Sequence, residues 1–441
     1  MPNHQKILKK SIKFIKDGYL SNKNISYNPN YFLTSWTDSI GYINIKNISK
    51  NNVSLFKKYK IILKEFFSIN MDKIEYKNKI NLKNYKNLVM SYFFHENLKQ
   101  NGSYDDRYFS MNTDIDKKTL WILVPFNEIN KQYKTKKNII VLKRQNINLS
   151  KNIFFSFKMF VKNFFSTFFF IKTKKIEFKN TNFSENLSEI ISNILIESKI
   201  NKLIFPYESQ PHQHYLTEKL KQQKKKLKII GYMHTVIPPL PLDYIKRTGH
   251  PDVIYVNGLS QKKILCSKLG WKKNEVKNIN SLRYKKKINF SYNKNIFLPY
   301  FLEDENKIFK YFQKLIFTKG QGYFPNLRIR NHPAMNNSKN HINLIKKLKK
   351  FLKQNKNFFK DTKTNKKIFI CFGSTASIIE GLERGFRAFH ICSDTTLEKF
   401  DNFYWKQIKI SCINSNTFEY KLKTKGSLIK LSNQKSQIIK L

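Results

Sequence analysis

The segment Ile368-Phe-Ile-Cys-Phe-Gly-Ser-Thr-Ala-Ser-Ile-Ile-Glu380 joins a fully apolar run to a glycine turn and then to hydroxyl residues that open a helical stretch. That order of residue types makes an anion site. Gly373 admits close backbone approach, Ser374, Thr375 and Ser377 supply hydroxyls and N–H groups, and a helix N-terminus favours a phosphate. A plain helix cap, with Ser374 or Thr375 satisfying the orphan N–H groups, uses the same residues. Glu380 lies on the following helix, where a carboxylate can accept hydrogen bonds from a ribose. One strand upstream, Leu327-Arg-Ile-Arg-Asn-His332-Pro333 ends in a basic corner. Pro333 biases His332 toward an extended conformation that aims its imidazole into a cleft. There His332 can donate to a phosphate oxygen and Arg330 can neutralise a leaving nucleotide; a solvated loop histidine is the alternative.

A second group of residues has the chemistry of an acceptor site. Lys202-Leu-Ile-Phe-Pro-Tyr-Glu208-Ser-Gln-Pro211-His-Gln-His is a strand that ends in a carboxylate and runs straight into a helix. A carboxylate at that point suits a general base that removes the proton from an attacking hydroxyl. A glutamate held in a helix's first turn by the dipole fits the same pattern. The next strand ends at Gly231-Tyr-Met-His234-Thr235, before a loop stiffened by Pro238, Pro239 and Pro241. His234 either positions acceptor or donor there, or is an ordinary hydrogen-bonded histidine. A third candidate, ranked behind Glu208, is Asp106 in Asn101-Gly-Ser-Tyr-Asp105-Asp106-Arg107, a catalytic base or half of a structural ion pair. His212 and His214 have no carboxylate or cysteine partner at ligand spacing, so no metal is expected.

The pair His332-Pro333 followed by Ser374-Thr375 resembles the His-Pro and Ser-Ser/Thr motifs of bacterial sialyltransferases and capsule-type transferases. Those are GT-B enzymes that use CMP-activated sugars and hold the nucleotide phosphate with the histidine and the hydroxyl pair. The resemblance covers about the last 150 residues by motif order and implies that role for His332, Ser374 and Thr375. CDP-glycerol-type polymerases carry a similar His-Pro corner and serine-rich turn. Tyr207-Glu208-Ser-Gln-Pro211 looks like a stretch of surface-carbohydrate biosynthesis proteins. The Asp105-Asp106 loop resembles the Asp-Asp-Gly loop of one sialyltransferase family, with Arg107 in the glycine's place. The implied reaction moves a sugar from a nucleotide-sugar co-substrate, with no resident cofactor, to a surface-polysaccharide or lipid-linked acceptor. A CDP-glycerol-type polyol-phosphate transfer is the alternative.

Such sites need rigid strands behind them. Apolar runs at 88–94, 120–125, 139–142, 203–205, 229–233 and 253–256, spaced by helical stretches, predict a parallel sheet covered on both faces. A second series at 296–298, 327–329, 368–372 and 388–391 repeats the pattern. The expected fold is α/β: two Rossmann-like, doubly wound domains facing a cleft. Residues 1–85 read as an N-terminal extension, 86–285 as the acceptor-side domain and 286–441 as the nucleotide-donor-binding domain. In such sheets, ligands sit at the carboxyl ends of the strands.

At 441 residues the chain exceeds one ordinary core, and 15% aromatic content excludes a disordered chain. The formal charge of +53 raises a nucleic-acid reading. Yet lysine comes with abundant Asn, Ile, Phe and Tyr, all with AT-rich codons, and no Gly-Phe-Gly-Phe signature occurs, so nucleic acid is not expected as a partner. A non-catalytic, RNA-associated protein is the reading from another class. The four cysteines stand singly, which fits a reducing cytoplasm. The polar, lysine-rich N-terminus has no apolar leader. The phenylalanine-rich run at 153–171 is amphipathic and reads as a helix on its own sheet or as an interfacial helix, which allows peripheral contact with an anionic inner-membrane face.

Overall fold

The computed structural model describes residues 4–21, 70–75, 80–125, 129, 131, 133–148, 182–223, 226–287, 292–302, 304–360 and 367–432. The amphipathic run at 153–171 lies outside them.

Seven strands form the first sheet: β1 (Asn87–Phe93), β2 (Thr119–Pro125), β3 (Ile139–Val141), β4 (Lys202–Pro206), β5 (Lys228–Tyr232), β6 (Val253–Val256) and β7 (Val276–Asn278). Their spatial order is 7-6-5-4-1-2-3, and every neighbouring pair is parallel. Alternate residues explain the continuous apolar runs. Leu88, Met90, Leu120 and Ile122 pack with Leu187, Ile191, Leu216 and Leu220 of two helices, Asn182–Ile196 and Pro211–Gln223. Val89, Trp121, Leu123 and Ile204 pack on the other face with Tyr104, Phe109 and Met111. A sheet buried on both faces tolerates no polar alternation, so each strand reads as solidly apolar.

The second sheet contains β8 (Asn295–Phe297), β9 (Arg328–Arg330), β10 (Ile368–Phe372), β11 (Arg387–Ile391), β12 (Ile408–Asn414) and β13 (Thr417–Leu422), in the order 9-8-10-11-13-12. The first four are parallel and the last two antiparallel. Helices Glu305–Lys319 and Lys339–Gln354 cover one face through Ile308, Phe312, Leu344 and Leu348. Helix Ser377–Glu383 covers the other through Ile378, Ile379 and Leu382. The chain is therefore α/β with two Rossmann-like, doubly wound sheets. The apolar-run reading missed β7 and the β12–β13 hairpin, which are short or interrupted by charge.

Two segments tie the halves together. The N-terminal helix His4–Ser21 buries Ile7 and Leu8, and His4 Nε2 bonds the Thr396 carbonyl at 2.9 Å, so this part of the region read as an extension packs on the second half. At the other end, residues 424–432 leave the second sheet and return to the first. Ser260 N–H donates to Ser427 O at 2.9 Å, Lys430 N–H to Asn257 O at 2.7 Å and Ser281 N–H to Lys430 O at 2.8 Å. The buried Glu383 carboxylate accepts the N–H groups of Gly426, Leu428 and Ile429 from this strap.

Candidate functional site

In the first sheet the winding reverses between β1 and β4, and in the second between β8 and β10. Crevices at the carboxyl ends of strands beside such reversals are where doubly wound sheets bind ligands. Glu208 lies two residues past β4, and His234 two residues past β5.

Glu208 Oε1 stands 3.0 Å from His234 Nε2, with side-chain exposures of 12% and 2%. A carboxylate only accepts, so Nε2 carries the proton and Nδ1 is a bare lone pair. That Nδ1 is buried with no hydrogen-bond partner among the described residues. Burial lowers the His234 pKa while Glu208 opposes the shift, so the ring is neutral at pH 7. The Tyr108 ring meets it edge-on at 4.4 Å between centroids. The loop beyond Glu208 is rigidly built. Glu208 N–H donates to Gln213 Oε1 at 3.0 Å, and Gln213 Nε2 donates to Pro206 O at 2.6 Å. Ser209 takes a left-handed φ of 59°, costly for a residue with a Cβ, and its hydroxyl is anchored to Asp243 O at 2.6 Å.

Asp106, the third candidate, is tied into its own loop. It is buried, bonds the Ser91 hydroxyl, and accepts the N–H groups of Tyr108 at 2.9 Å and Phe109 at 2.7 Å. Burial pushes its pKa up to about 6 against those hydrogen bonds. It organises the turn that presents Tyr108 to His234. Its sequence neighbours take separate partners: Asp105 pairs with Lys99 at 2.7 Å and Arg107 with Glu96 at 2.7 Å.

The three donor-side loops meet one another. Gly373 has a φ of 57°, and a Cβ there would lie 3.1 Å from Pro299, which follows β8. Tyr300, next in sequence and half-exposed, stands edge-on to His332 at 5.2 Å. His332 is extended, with φ −70° and ψ 128°, as the following proline requires. Its Nδ1 accepts from Ala334 N–H at 3.3 Å, which leaves Nε2 as the proton-bearing atom available to an anion. Burial first, then the charges of His341 and Arg283, lower its pKa. Thr375 Oγ1 takes the capping part, accepting Ser377 N–H at 3.3 Å, while Ser374 is exposed. Arg330 Nε donates to Asn295 Oδ1 at 3.0 Å. Glu380 bonds Tyr292 OH at 2.6 Å and Arg384 at 2.7 Å, so a ribose reaches only its remaining lone pairs.

Beneath Gly373 lies a polar support. His390 Nε2 donates to Gly373 O at 2.7 Å. Glu398 Oε1 lies 3.5 Å from where a Gly373 Cβ would be, and this carboxyl accepts Ser393 N–H at 2.7 Å and Asp394 N–H at 3.2 Å. Burial raises the Glu398 pKa to about 7. A carboxyl that keeps its proton longer when folded loses stability as pH rises from its unfolded to its folded value. Between pH 4.5 and 7 the native protein should therefore weaken through this group. Glu398→Gln removes that slope, so its stability relative to wild type should rise across the window by roughly 3 kcal/mol at most. Urea midpoints at pH 5 and pH 8 check this; equal differences at both pH values would contradict it.

One residue absent from the sequence reading faces both groups. Arg283 is solvent-exposed. Among the described residues its guanidinium makes no hydrogen bond or ion pair, only a ring contact at 5.6 Å from the Tyr284 centroid. Its charge is favoured by Tyr284 first, and by Glu208, Tyr108 and Glu380. Burial keeps the Tyr284 phenol protonated, so at neutral pH the two carboxylates set the field. The same charge lowers the pKa of His234 and of His332. Groups beyond the carboxyl ends of both sheets thus share the field of one arginine, in keeping with the two Rossmann-like sheets expected from the sequence. Among the described residues, no group of three or more His, Cys, Asp or Glu is placed to hold a metal, and no helix is long and apolar enough to cross a membrane.

No family model and no curated protein matches the sequence. Among solved structures, the chain is similar to α,α-trehalose 6-phosphate synthase from Burkholderia multivorans, with 8% identity over 63% of this chain and 70% of that one and a TM-score of 0.35. It is also similar to the wall teichoic acid polymerase TagF, with 10% identity over 78% and 75% and a TM-score of 0.32. A trehalose-6-phosphate synthase studied with bisubstrate glycomimetics gives 10%, 73%, 86% and 0.34 in the same terms. At these scores the likenesses add nothing to the strand order and parallel registers, on which the fold class rests.

Proposed function

We propose that the chain is a glycosyltransferase that binds a nucleotide-activated sugar at the loops after β8, β9 and β10 and delivers it to an acceptor hydroxyl at Glu208. What supports this reading is that the Glu208–His234 pair beyond one sheet and His332 beyond the other both feel the charge of Arg283, while the Ser374 turn and the His332 loop follow strands of the same sheet. The acceptor oxygen bonds to the anomeric carbon as the bond from that carbon to the phosphate oxygen breaks. The proton passes to Glu208, whose carboxylate His234 holds in place, so His234 is a positioning residue. Charge on the departing phosphate falls to His332 and the Ser374 turn. These donors supply the stabilisation that a metal ion would otherwise give. The resemblance of His332-Pro333 and Ser374-Thr375 favours a CMP-linked donor and a saccharide or lipid-linked acceptor near the inner membrane face.

The test is release of free nucleotide from CMP-activated sugars and from CDP-glycerol by the whole chain, with and without acceptor. Release from a CMP-sugar that falls tenfold or more in His332→Ala and Ser374→Ala is expected, since each removes a hydrogen bond to a charged phosphate. Turnover of CDP-glycerol alone would convert the reading to polyol-phosphate transfer. No turnover, together with salt-dependent RNA binding indifferent to CMP, would replace it with the non-catalytic reading.

A further inference from the structure

Arg283 belongs to neither sheet, yet the residues on either side of it are fixed to both halves. Leu282 N–H donates to Tyr232 OH at 3.0 Å, at the end of β5 that leads to His234. On the far side, Arg384 donates to the Lys285 carbonyl at 2.6 Å and the Lys286 carbonyl at 2.9 Å, and that arginine is paired with Glu380 on the helix after the Ser374 turn. The strap adds Ser281 N–H to Lys430 O at 2.8 Å and Lys286 N–H to Ser432 O at 3.0 Å. An exposed guanidinium on so firmly anchored a stretch of backbone, with no carboxylate in bonding reach among the described residues, offers five donors to an incoming ligand. Its fork matches phosphate oxygens two at a time, and it stays charged at any physiological pH.

We infer that Arg283 is a further phosphate-binding residue of this site, taking the nucleotide's phosphate oxygens between the acceptor-side pair Glu208–His234 and the donor-side loop at His332. The assignment rests on the donor-site reading above and adds a residue from the linker between the sheets. Arg283 thereby covers two needs at once. It offsets the repulsion between an anionic donor and Glu208, and it draws the leaving phosphate to the point where both sheets contribute.

Calorimetric titration of the whole chain with CDP, CMP and inorganic pyrophosphate tests this on wild type, Arg283→Gln and Arg283→Lys, each first shown to melt like wild type without ligand. Arg283→Gln should weaken CDP and pyrophosphate tenfold or more and flatten the salt dependence, and Arg283→Lys should recover part of the loss. As a second measure on the unaltered protein, CDP should protect Arg283 from phenylglyoxal, read by peptide mapping. CDP binding within twofold of wild type in Arg283→Gln, or an unprotected Arg283, overturns the inference and leaves the donor-site reading standing. A wild type that binds none of the three probes overturns both.

Discussion

Glu208→Gln is expected to lower turnover by roughly 10²- to 10⁴-fold, the usual contribution of a general base, while nucleotide affinity holds or rises, since a negative charge near the phosphate is removed. The substitution is informative because glutamine keeps what the surroundings require. Its carbonyl oxygen can still accept the His234 Nε2 proton that Glu208 accepts at 3.0 Å, so the buried ring keeps its place. What disappears is the capacity to take a proton from the acceptor. A stopped assay with donor in excess, alongside titration of the same preparation with nucleotide, separates the two effects. Activity within threefold of wild type would remove Glu208 from the base role and leave it as a strand-end partner of His234. Asp106→Asn should behave differently, because Asp106 holds the N–H groups of Tyr108 and Phe109. Its loss is felt in stability as well as in turnover.

Gly258→Ala is expected to destabilise the protein by about 3 kcal/mol or more, at the upper end of overpacking costs. Gly258 is extended, with φ −160°, so backbone freedom is not at issue. The cause is contact: a Cβ there would sit 1.9 Å from the Leu428 carbonyl oxygen. Both atoms belong to backbone that is pinned elsewhere, Gly258 at the head of helix Leu259–Lys268 and Leu428 by Glu383 and Gln261. Relief requires the strap to lift, which breaks its bonds to Ser260 and Asn257 and loosens its bonds to Ser281 and Lys286 around Arg283. Urea unfolding should show a lower midpoint, and turnover should fall even where the protein remains folded. A wild-type midpoint would mean that the strap does not lie on Gly258.

Strands buried on both faces announce themselves, and every apolar run from Leu88 to Ile391 named from the sequence corresponds to a strand of one of the two sheets. Strand order was not legible, because it depends on long-range pairing. The strap shows the same limit: Gln261 and Leu428 are bonded across 167 positions, and no local pattern links them. Asp105 and Asp106 are chemically identical in sequence, yet one is a surface partner of Lys99 and the other is buried on Ser91. Burial alone divides them. The His332 corner was readable because Pro333 dictates backbone geometry, and the structure gives the extended conformation that follows. Arg283 was hidden beside Lys285, Lys286 and Lys287 in a lysine-rich connector. A signal did exist, since only eight of the 83 basic residues are arginines. In a chain this rich in lysine, an arginine marks a place where a flat, permanently charged fork is wanted. The carboxyl network at Glu398 and the buried His390 left no comparable trace, because their roles depend on the packing beneath Gly373.

The most direct measurement of the central claim is thermal stabilisation of the whole chain by CMP, CDP, UDP and GDP, repeated on His332→Ala and Ser374→Ala. A ligand that binds only the folded state raises the melting midpoint by mass action. A cytidine-selective rise in wild type that disappears in both variants is the predicted result. No rise with any of the four nucleotides would contradict the donor site, and with it the transferase.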